Sequence, residues 1–294
     1  MLRIVFAHRF LADADLPLPR GDLWHGLFGA CLHDTCTLAY AALMSADEQR
    51  RPWALQPPLD MEPWVPAGAE VEAGLTLFGG ATRHASACIA ALQQMGQRGF
   101  GRARVPAEMV RLAVQHADGR QQSLGSAVPA PVCALDVLDQ AADALVRERD
   151  AAQPAAPLTA LELRLLTPLW LKRDGQVLRE APPLQLLVRR LLGRLVLLAP
   201  QRPEGLFAAG DQAGALDLAA RSPLLAQHLE NLRWMRRSSR QGTRMPFEGQ
   251  MGRLVYGPPA VALLPWFVLG EWLQIGGKTT FGLGVIQARP RELT

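Results

Sequence analysis

Apolar and polar positions in the first half of the chain follow patterns that predict alternating strands and helices. Apolar runs with a two-residue period indicate strands, and longer runs with helical spacing indicate helices. The predicted order is a strand at Leu2–His8, a helix at Leu23–Leu43 capped by Asp22, a strand at Val71–Phe78, a helix at Thr82–Met95 ending at Gly96, and a strand at Arg104–His116. A proline-rich loop lies between the first helix and the second strand, with Pro52, Pro57, Pro58, Pro63 and Pro66. This order fits a ferredoxin-like or RRM-like unit with one strand unplaced.

The second half repeats this plan after a segment whose composition is typical of a linker. Ala151–Pro157, with the sequence AAQPAAP, predicts a boundary between domains at residues 1–150 and 151–294. The pattern then predicts a strand at Leu161–Pro168, a helix at Pro183–Ala199 and a later strand that includes Arg253–Tyr256. The fold class predicted for the whole chain is α+β.

The segment Leu263–Gln287 predicts an apolar helix, a glycine-rich loop and a short strand. Four glycines bracket a lysine and two threonines, in the order Gly276, Gly277, Lys278, Thr279, Thr280, Gly282 and Gly284. Exposed N–H groups, an ammonium and hydroxyls together suit a phosphate oxyanion. A tight glycine turn without a ligand is the alternative interpretation.

This loop is not a nucleotide-binding P-loop. Gly277-Lys278-Thr279-Thr280 looks like the end of G-x-x-x-x-G-K-[ST], but Trp272 stands where the first glycine belongs. The order of elements is also reversed, because a P-loop follows a strand and precedes a helix.

Charge is distributed unevenly between the two halves. Residues 1–150 carry 13 arginines and 17 acidic residues, a net charge of −4, and the remainder carries a net charge of +8. The second half is therefore the predicted contact for a polyanion. Arginine supplies almost all of the positive charge, since Lys172 and Lys278 are the only lysines, and its planar guanidinium suits phosphates and stacks on bases.

The cysteine and hydrophobicity patterns argue against a metal site and a membrane span. Cys31, Cys36, Cys88 and Cys133 form no C-x-x-C pair, and no histidine pair has zinc-ligand spacing. Scattered cysteines without a signal peptide are typical of the reducing cytoplasm. No apolar run reaches the roughly 18 residues that a spanning helix needs.

Several motifs in a fixed order resemble a known family. Gly270-Glu271-Trp272-Leu273, with the loop Gly276–Gly284, is similar to the C-terminal glycine-rich signature of the CRISPR-associated precursor-RNA processing endoribonucleases, which belong to the RAMP superfamily. The resemblance extends along most of the chain, through Pro57-Pro58-Leu59, Leu75–Gly79, Gly96-x-x-Gly99-x-Gly101-Arg102, Leu165–Leu169, Lys172–Gly175, Trp234, Ser238–Gln241, Met245-Pro246 and Gly252.

The resemblance implies two ferredoxin-like (RRM-like) domains in tandem. It implies a protein that binds the repeat hairpin of a CRISPR transcript and cuts at the base of the hairpin by attack of a 2′-hydroxyl. The products would carry a 2′,3′-cyclic phosphate and a 5′-hydroxyl, and no cofactor or metal would be needed. The expected partners are precursor and mature CRISPR RNA, with other CRISPR effector subunits also compatible.

The resemblance also directs attention to histidines on the first helix. In the similar family the catalytic histidine commonly lies on or just after that helix, which here contains His25 and His33. The two are about 12 Å apart along a helix and roughly 80° around it, so they are not expected to serve one phosphate together. His33 is favoured and His25 is the second candidate; a solvated helix histidine without catalytic function is the alternative. Some family members add a tyrosine and a lysine, but residues 1–150 contain one tyrosine, Tyr40, and no lysine.

A second group of candidate residues lies in the predicted late hairpin. Its arginines, interleaved with Trp234 and Met235, could contact phosphates of an RNA stem: Arg233, Arg236, Arg237, Arg240 and Arg244. A solvated charged hairpin would have the same composition.

Two other functions fit parts of this pattern. One is a non-catalytic RAMP subunit that holds guide RNA in an effector complex. The other is a small-molecule enzyme on a ferredoxin-like scaffold, for which the sequence offers no nucleophile or metal signature.

Overall fold

A computed structural model of the chain describes residues 1–45, 47–125, 128–151, 159–198, 209–237 and 244–293. The described residues form two compact units. Unit 1 contains Met1–Val132 together with Lys278–Gly282, and unit 2 contains Cys133–Arg237, Arg244–Gly277 and the residues from Leu283 onward. Five residues of the glycine-rich loop thus belong to the unit formed by the N-terminal part of the chain.

Unit 1 is built from strands and helices that alternate along the chain. Its strands are β1 (Leu2–Phe10), β2 (Ala14–Asp15), β3 (Trp53–Gln56), β4 (Trp64–Val65), β5 (Glu70–Leu77), β6 (Ala107–Gln115) and β7 (Gln121–Ser123). Its helices are α1 (Gly21–Thr35), α2 (Thr37–Met44) and α3 (Ala85–Arg98), with 3-10 turns at Glu48–Arg50, Gly79–His84 and Thr279–Phe281.

The main sheet of unit 1 has the strand order of a ferredoxin-like fold. The order is β3-β5-β1-β6-β7 and every neighbouring pair is antiparallel. The strand that the sequence left unplaced is β3, which pairs Trp53 with Leu77. The prediction of a continuous proline-rich loop was wrong at this point. Pro52 and Pro57 flank the four-residue strand without interrupting it, and β3 lies at the sheet edge, where proline is tolerated.

The predicted single helix Leu23–Leu43 is two helices. Cys36 has an extended backbone (φ −157°, ψ 96°) that ends α1 and starts α2. The hydroxyl of Thr35 donates to the carbonyl oxygen of Cys31 at 2.9 Å, a local bond that competes with the regular helix. The predicted cap was also wrong, because Arg20 occupies the N-cap position and Asp22 lies in the first turn.

The second predicted helix continues past Gly96. Helix α3 ends at Arg98, and Gly99, with φ 83°, forms its C-cap. Gly96 lies inside the helix. A Cβ at this position would sit 2.1 Å from the carbonyl oxygen of Ala107, so only glycine fits there. The glycine therefore allows close packing of α3 against β6 and does not end the helix.

Unit 2 repeats the ferredoxin-like plan with additional helices. Its strands are β8 (Thr159–Leu169), β9 (Lys172–Arg173), β10 (Gln176–Val177), β11 (Leu224–Arg237), β12 (Arg244–Tyr256) and β13 (Ile286–Glu292). Its helices are α4 (Ala134–Ala151), α5 (Leu184–Leu198), α6 (Ala209–Arg221) and α7 (Leu264–Leu273), with a 3-10 turn at Pro258–Leu263.

The sheet of unit 2 has the order β11-β12-β8-β13, again antiparallel throughout. The apolar segment before the glycine-rich loop is α7, as the sequence predicted. Helices α4 and α6 were not predicted. The division into units differs from the predicted boundary at residue 150, because α4 belongs to unit 2. Of the predicted linker Ala151–Pro157, all but Ala151 lies outside the described residues.

Candidate functional site

His33 projects into solvent near the C-terminal end of α1. The buried face of this helix includes Phe28, Cys31 and Leu32, which leaves the His33 side chain 59% exposed. The break at Cys36 lets α2 bring the ring of Tyr40 edge-on to the imidazole, with ring centroids 4.9 Å apart. One exposed histidine and one phenol therefore lie side by side.

A carboxylate connects His33 to a cation on another helix. Asp34 Oδ1 lies 3.5 Å from His33 Nδ1, and Asp34 Oδ2 accepts a short hydrogen bond from Arg98 at the end of α3. The guanidinium of Arg98 holds the pKa of Asp34 below its usual value, with a smaller contribution from His33. The carboxylate therefore stays ionised near neutral pH and places a negative charge next to the imidazole.

His25 has a different environment on the same helix. Its Nδ1 donates a 2.9 Å hydrogen bond to the carbonyl oxygen of Thr280. Its ring centroid lies 3.8 Å from that of Phe281 and 5.5 Å from that of Trp53, nearly parallel to the indole. His25 thus anchors the Lys278–Gly282 segment within unit 1.

Burial reduces the number of residues in the glycine-rich loop that could contact a phosphate. Thr279 is 3% exposed and Thr280 is fully buried, and Gly282 is also buried. Lys278 is partly exposed, and its ammonium lies 2.6 Å from the carboxylate of Glu48. In unit 1 only Lys278, among the predicted loop contacts, offers a partly exposed polar side chain.

The remaining loop glycines serve close packing in unit 2. A Cβ at Gly277 would lie 2.4 Å from the Trp170 ring, and one at Gly284 would lie 1.9 Å from the carbonyl oxygen of Ile275. Gly277 N donates to Trp170 O at 3.0 Å. Gly276 and Gly277 are partly exposed, whereas Gly284 is buried. Close packing in a tight turn, the alternative to a phosphate site, therefore explains why glycine is needed at these positions.

The predicted arginine patch lies on the long hairpin of β11 and β12. Arg233 is 61% exposed and donates to Glu248 at 3.1 Å, and Arg236 lies over the Phe247 ring at 5.7 Å. Arg237 ends β11 and Arg244 begins β12, where the two are paired in the sheet. Arg240 lies outside the described residues.

Two features of the site were missed by sequence reasoning. Arg98 is 64 residues from Asp34, so no local pattern could have linked it to His33. The other feature is a set of four arginines around Glu162 in unit 2, on three different strands.

Neither a metal cluster nor a membrane helix occurs in the part of the chain that the structure describes. Within those ranges, no three His, Cys, Asp or Glu side chains are grouped as metal ligands would be. No helix there combines the length and apolarity needed to cross a bilayer.

Two family models each match a part of the chain. Residues 163–286 match the model of the CRISPR-associated endoribonuclease Cas6, and residues 1–130 match the AF_1859_N N-terminal domain. The match over residues 163–286 supports the resemblance to the CRISPR-associated RNA-processing proteins. The Cas6 match supports an RNA-cleaving enzyme that processes CRISPR RNA. No curated protein matches this chain by sequence.

Solved structures confirm the predicted fold of the chain. The product complex of a Cas6 from Thermus thermophilus has a TM-score of 0.61 at 18% identity, with 98% of each chain covered. A RAMP protein described as binding different RNA substrates has a TM-score of 0.51 at 11% identity, with 98% of this chain and all of the other covered. A chain from a Cas6-RT-Cas1–Cas2 complex has a TM-score of 0.66 at 15% identity; all of this chain aligns, with 47% of that one.

Proposed function

We propose that this protein binds the repeat hairpin of a CRISPR transcript and cuts once at its base without a metal ion. The 2′-hydroxyl at the cut site attacks the adjacent phosphorus and the bond to the 5′-oxygen breaks. One product then ends in a 2′,3′-cyclic phosphate and the other begins with a 5′-hydroxyl. The observation that carries this proposal is the exposed His33 beside Tyr40, with Arg98 linked to it through Asp34.

This group of side chains matches the needs of the reaction. Proton transfer must take place at the 2′-hydroxyl and at the 5′-oxygen, and cations must stabilise the phosphorane. We assign one proton transfer to His33, because imidazole titrates near neutrality. The Tyr40 hydroxyl is the neighbouring group for the other transfer, and Arg98 is the cation linked to His33 through Asp34.

The two domains have different roles in this proposal. The helix for proton transfer lies within residues 1–150, and residues 151–294 supply most of the RNA contact. The net charges of −4 and +8 support this division, because RNA is a polyanion.

The hairpin of β11 and β12 is the proposed contact for the RNA stem. Arg233 is well exposed and Arg236 partly so, and Arg237, Arg240 and Arg244 continue the basic sequence. From the glycine-rich loop we retain Gly276, Gly277 and Lys278 as contacts, since the other predicted residues are buried. These groups contact phosphates and fix the register of the stem without reading bases.

The proposed partners are the precursor RNA and the processed CRISPR RNA. Other CRISPR subunits are also proposed partners, on the basis that one matched chain comes from a Cas6-RT-Cas1–Cas2 complex.

An RNA cleavage assay tests the mechanism directly. The protein is incubated with repeat RNA in EDTA, and in parallel with the same RNA carrying a 2′-deoxyribose at the cut site. We expect full cleavage in EDTA and none of the deoxy substrate. A requirement for Mg²⁺, or cutting of the deoxy substrate, contradicts the mechanism.

A non-catalytic RAMP subunit is the second candidate function. The observation in its favour is that residues 1–150 contain no lysine, so they lack the cation that accompanies the histidine in some similar enzymes. This candidate predicts tight, salt-sensitive RNA binding without strand scission. A gel of repeat RNA after incubation with wild-type protein separates the two functions.

A further inference from the structure

A buried carboxylate organises four arginines on the sheet of unit 2. Glu162 on β8 is 2% exposed. Its oxygens lie 2.9 Å from Arg164 Nε, 2.6 Å from Arg289 Nη2, 3.1 Å from Arg291 Nη1 and 3.8 Å from Arg253 Nη1. We call these five residues the Glu162 cluster. One negative charge balances only one of the four positive charges.

The pairing of the strands places the whole cluster on one face of the sheet. Glu162 pairs with Val255 on one side and Arg289 on the other, and Arg164 pairs with Arg253 and Gln287. Arg291 pairs with Ala160, two positions from Glu162 on β8. Directly opposed residues share a face, as do residues two apart along a strand. On β11, His228 pairs with Arg253 and lies on the same face of the sheet. Glu230, two positions further along β11, is an acidic residue on that face.

The arginines remain accessible although the carboxylate does not. Their side chains are 42% (Arg164), 45% (Arg253), 43% (Arg289) and 41% (Arg291) exposed. A guanidinium has five N–H donors and a carboxylate accepts about four hydrogen bonds. The cluster therefore has more donors than Glu162 can satisfy.

Glu162 also reduces the entropic cost of binding a ligand. An arginine side chain on a surface loses rotamer entropy when it is ordered. Hydrogen bonds to a buried, fixed carboxylate order these side chains before any ligand arrives, so less of that cost falls on binding.

We propose that the Glu162 cluster binds phosphates of a single-stranded RNA segment that adjoins the hairpin; this inference rests on the proposed function. A polyanion is the complement of a cluster with three unbalanced positive charges. A single phosphate chain fits because the four guanidinium groups converge on one carboxylate and form one compact patch. Duplex RNA presents its phosphates as two rows on either side of a groove.

The experiment compares RNAs with and without a single-stranded flank. One is the repeat hairpin alone, and the others add about ten nucleotides on the 5′ or the 3′ side, a length within the range that single-strand binding folds cover. The dissociation constants are measured at several salt concentrations. We expect wild-type protein to bind at least one flanked RNA at least tenfold more tightly than the hairpin.

The test variant is Arg164→Gln with Arg291→Gln, which retains Arg289 and Arg253 as partners of the buried carboxylate. We expect the gain in affinity from the flank to fall about tenfold or more, because the charge-assisted hydrogen bonds of two arginines to phosphate are lost. The salt slope for flanked RNA should fall by roughly 1 to 2. Arg164→Lys with Arg291→Lys keeps the charges and should keep most of the gain.

A charge-matched control separates this site from a general effect of net charge. Arg9→Gln with Arg111→Gln removes two arginines of similar exposure from the sheet of unit 1 and should leave the gain intact. The proposal is overturned if the flank adds no affinity in wild type, if the control loses the gain equally, or if an acidic peptide of equal charge displaces the flank as well as RNA does.

The outcome also separates this proposal from the proposed function. In the cluster variant, hairpin affinity should stay within about twofold and cleavage at saturating protein should be unchanged, since the lost contacts are to the flank. Wild-type protein that neither binds nor cuts the hairpin contradicts the proposed function. Wild-type protein that cuts the hairpin but gains nothing from a flank contradicts the cluster proposal alone.

Discussion

His25 Nδ1 donates a hydrogen bond to the carbonyl oxygen of Thr280 at 2.9 Å, across 255 residues of sequence. This bond fixes part of the glycine-rich loop to α1 within unit 1, and Phe281 packs on the same imidazole. His33, eight residues further along the chain, is instead exposed beside Tyr40. The two candidate histidines therefore have different roles in the proposal, one in packing and the other in proton transfer.

Replacing each histidine with alanine should give different results. We expect His33→Ala to slow cleavage about 100- to 10,000-fold, the range for loss of a general acid or base, with RNA affinity within twofold of wild type. His25→Ala should lower the free energy of unfolding by about 2–4 kcal/mol, through lost packing and a lost hydrogen bond. Single-turnover cleavage and urea unfolding measure the two effects.

His116→Ala, which changes a histidine away from α1, is the control for these variants. The assignment is wrong if His25→Ala abolishes cutting in folded protein while His33→Ala cuts normally.

Gly21 at the start of α1 should not tolerate a methyl group. A Cβ there would lie 1.9 Å from the carbonyl oxygen of Phe281, and backbone cannot yield as a flexible side chain can. We expect Gly21→Ala to lower the free energy of unfolding by about 2–4 kcal/mol. Gly26→Ala on the same helix meets nothing within 4 Å and should raise it by about 0.5–1 kcal/mol, because alanine favours helix. Equal changes in the free energy of unfolding for Gly21→Ala and Gly26→Ala, measured with urea, would contradict this packing.

Buried His8 should make stability depend on pH. Burial lowers the pKa of His8 from 6.5 to about 4, and its Nε2 lies 3.1 Å from the carbonyl oxygen of Leu92. Because the unfolded state binds the proton more tightly, stability is full above about pH 6.5 and falls as pH drops toward 4. The loss attributable to His8 should total about 3 kcal/mol at pH 4.

Unfolding by urea at pH 7 and pH 5 measures this contribution, with His8→Gln as the non-titrating variant and exposed His228→Gln as the control. We expect the decrease in the free energy of unfolding between pH 7 and pH 5 to become smaller only in His8→Gln. A loss as large in His8→Gln as in wild type would show that His8 does not contribute.

The Lys278 ammonium should contribute to RNA binding without reading sequence. It lies 2.6 Å from the carboxylate of Glu48, and both side chains are 24% exposed. Lys278→Ala should weaken binding to stems of unrelated sequence by the same factor and reduce the salt slope by about 1. Glu48→Gln removes the competing carboxylate and should leave binding equal or tighter. Filter binding at several salt concentrations measures both, and weaker binding by Glu48→Gln would count against the contact.

Local patterns were sufficient for much of the fold. The alternating residues of β5 and the apolar run of α7 predicted those elements, because period and propensity are properties of neighbouring residues. The four residues of β3 were missed since so short a run between prolines carries little periodic signal. The break at Cys36 was missed because the apolar pattern from Leu23 to Leu43 outweighed the weak helix formers Thr35, Cys36 and Thr37.

The sequence by itself determined the order of elements, the repeated ferredoxin-like plan, the basic C-terminal half and the two histidines of α1. Only the tertiary structure decided that His25 packs against Phe281 while His33 faces solvent beside Tyr40, and that Thr279 and Thr280 are buried. It also brought four arginines from three strands around Glu162, with up to 129 residues between partners. Such contacts depend on how distant segments meet, and a one-dimensional pattern of polar and apolar residues does not encode which segments those are.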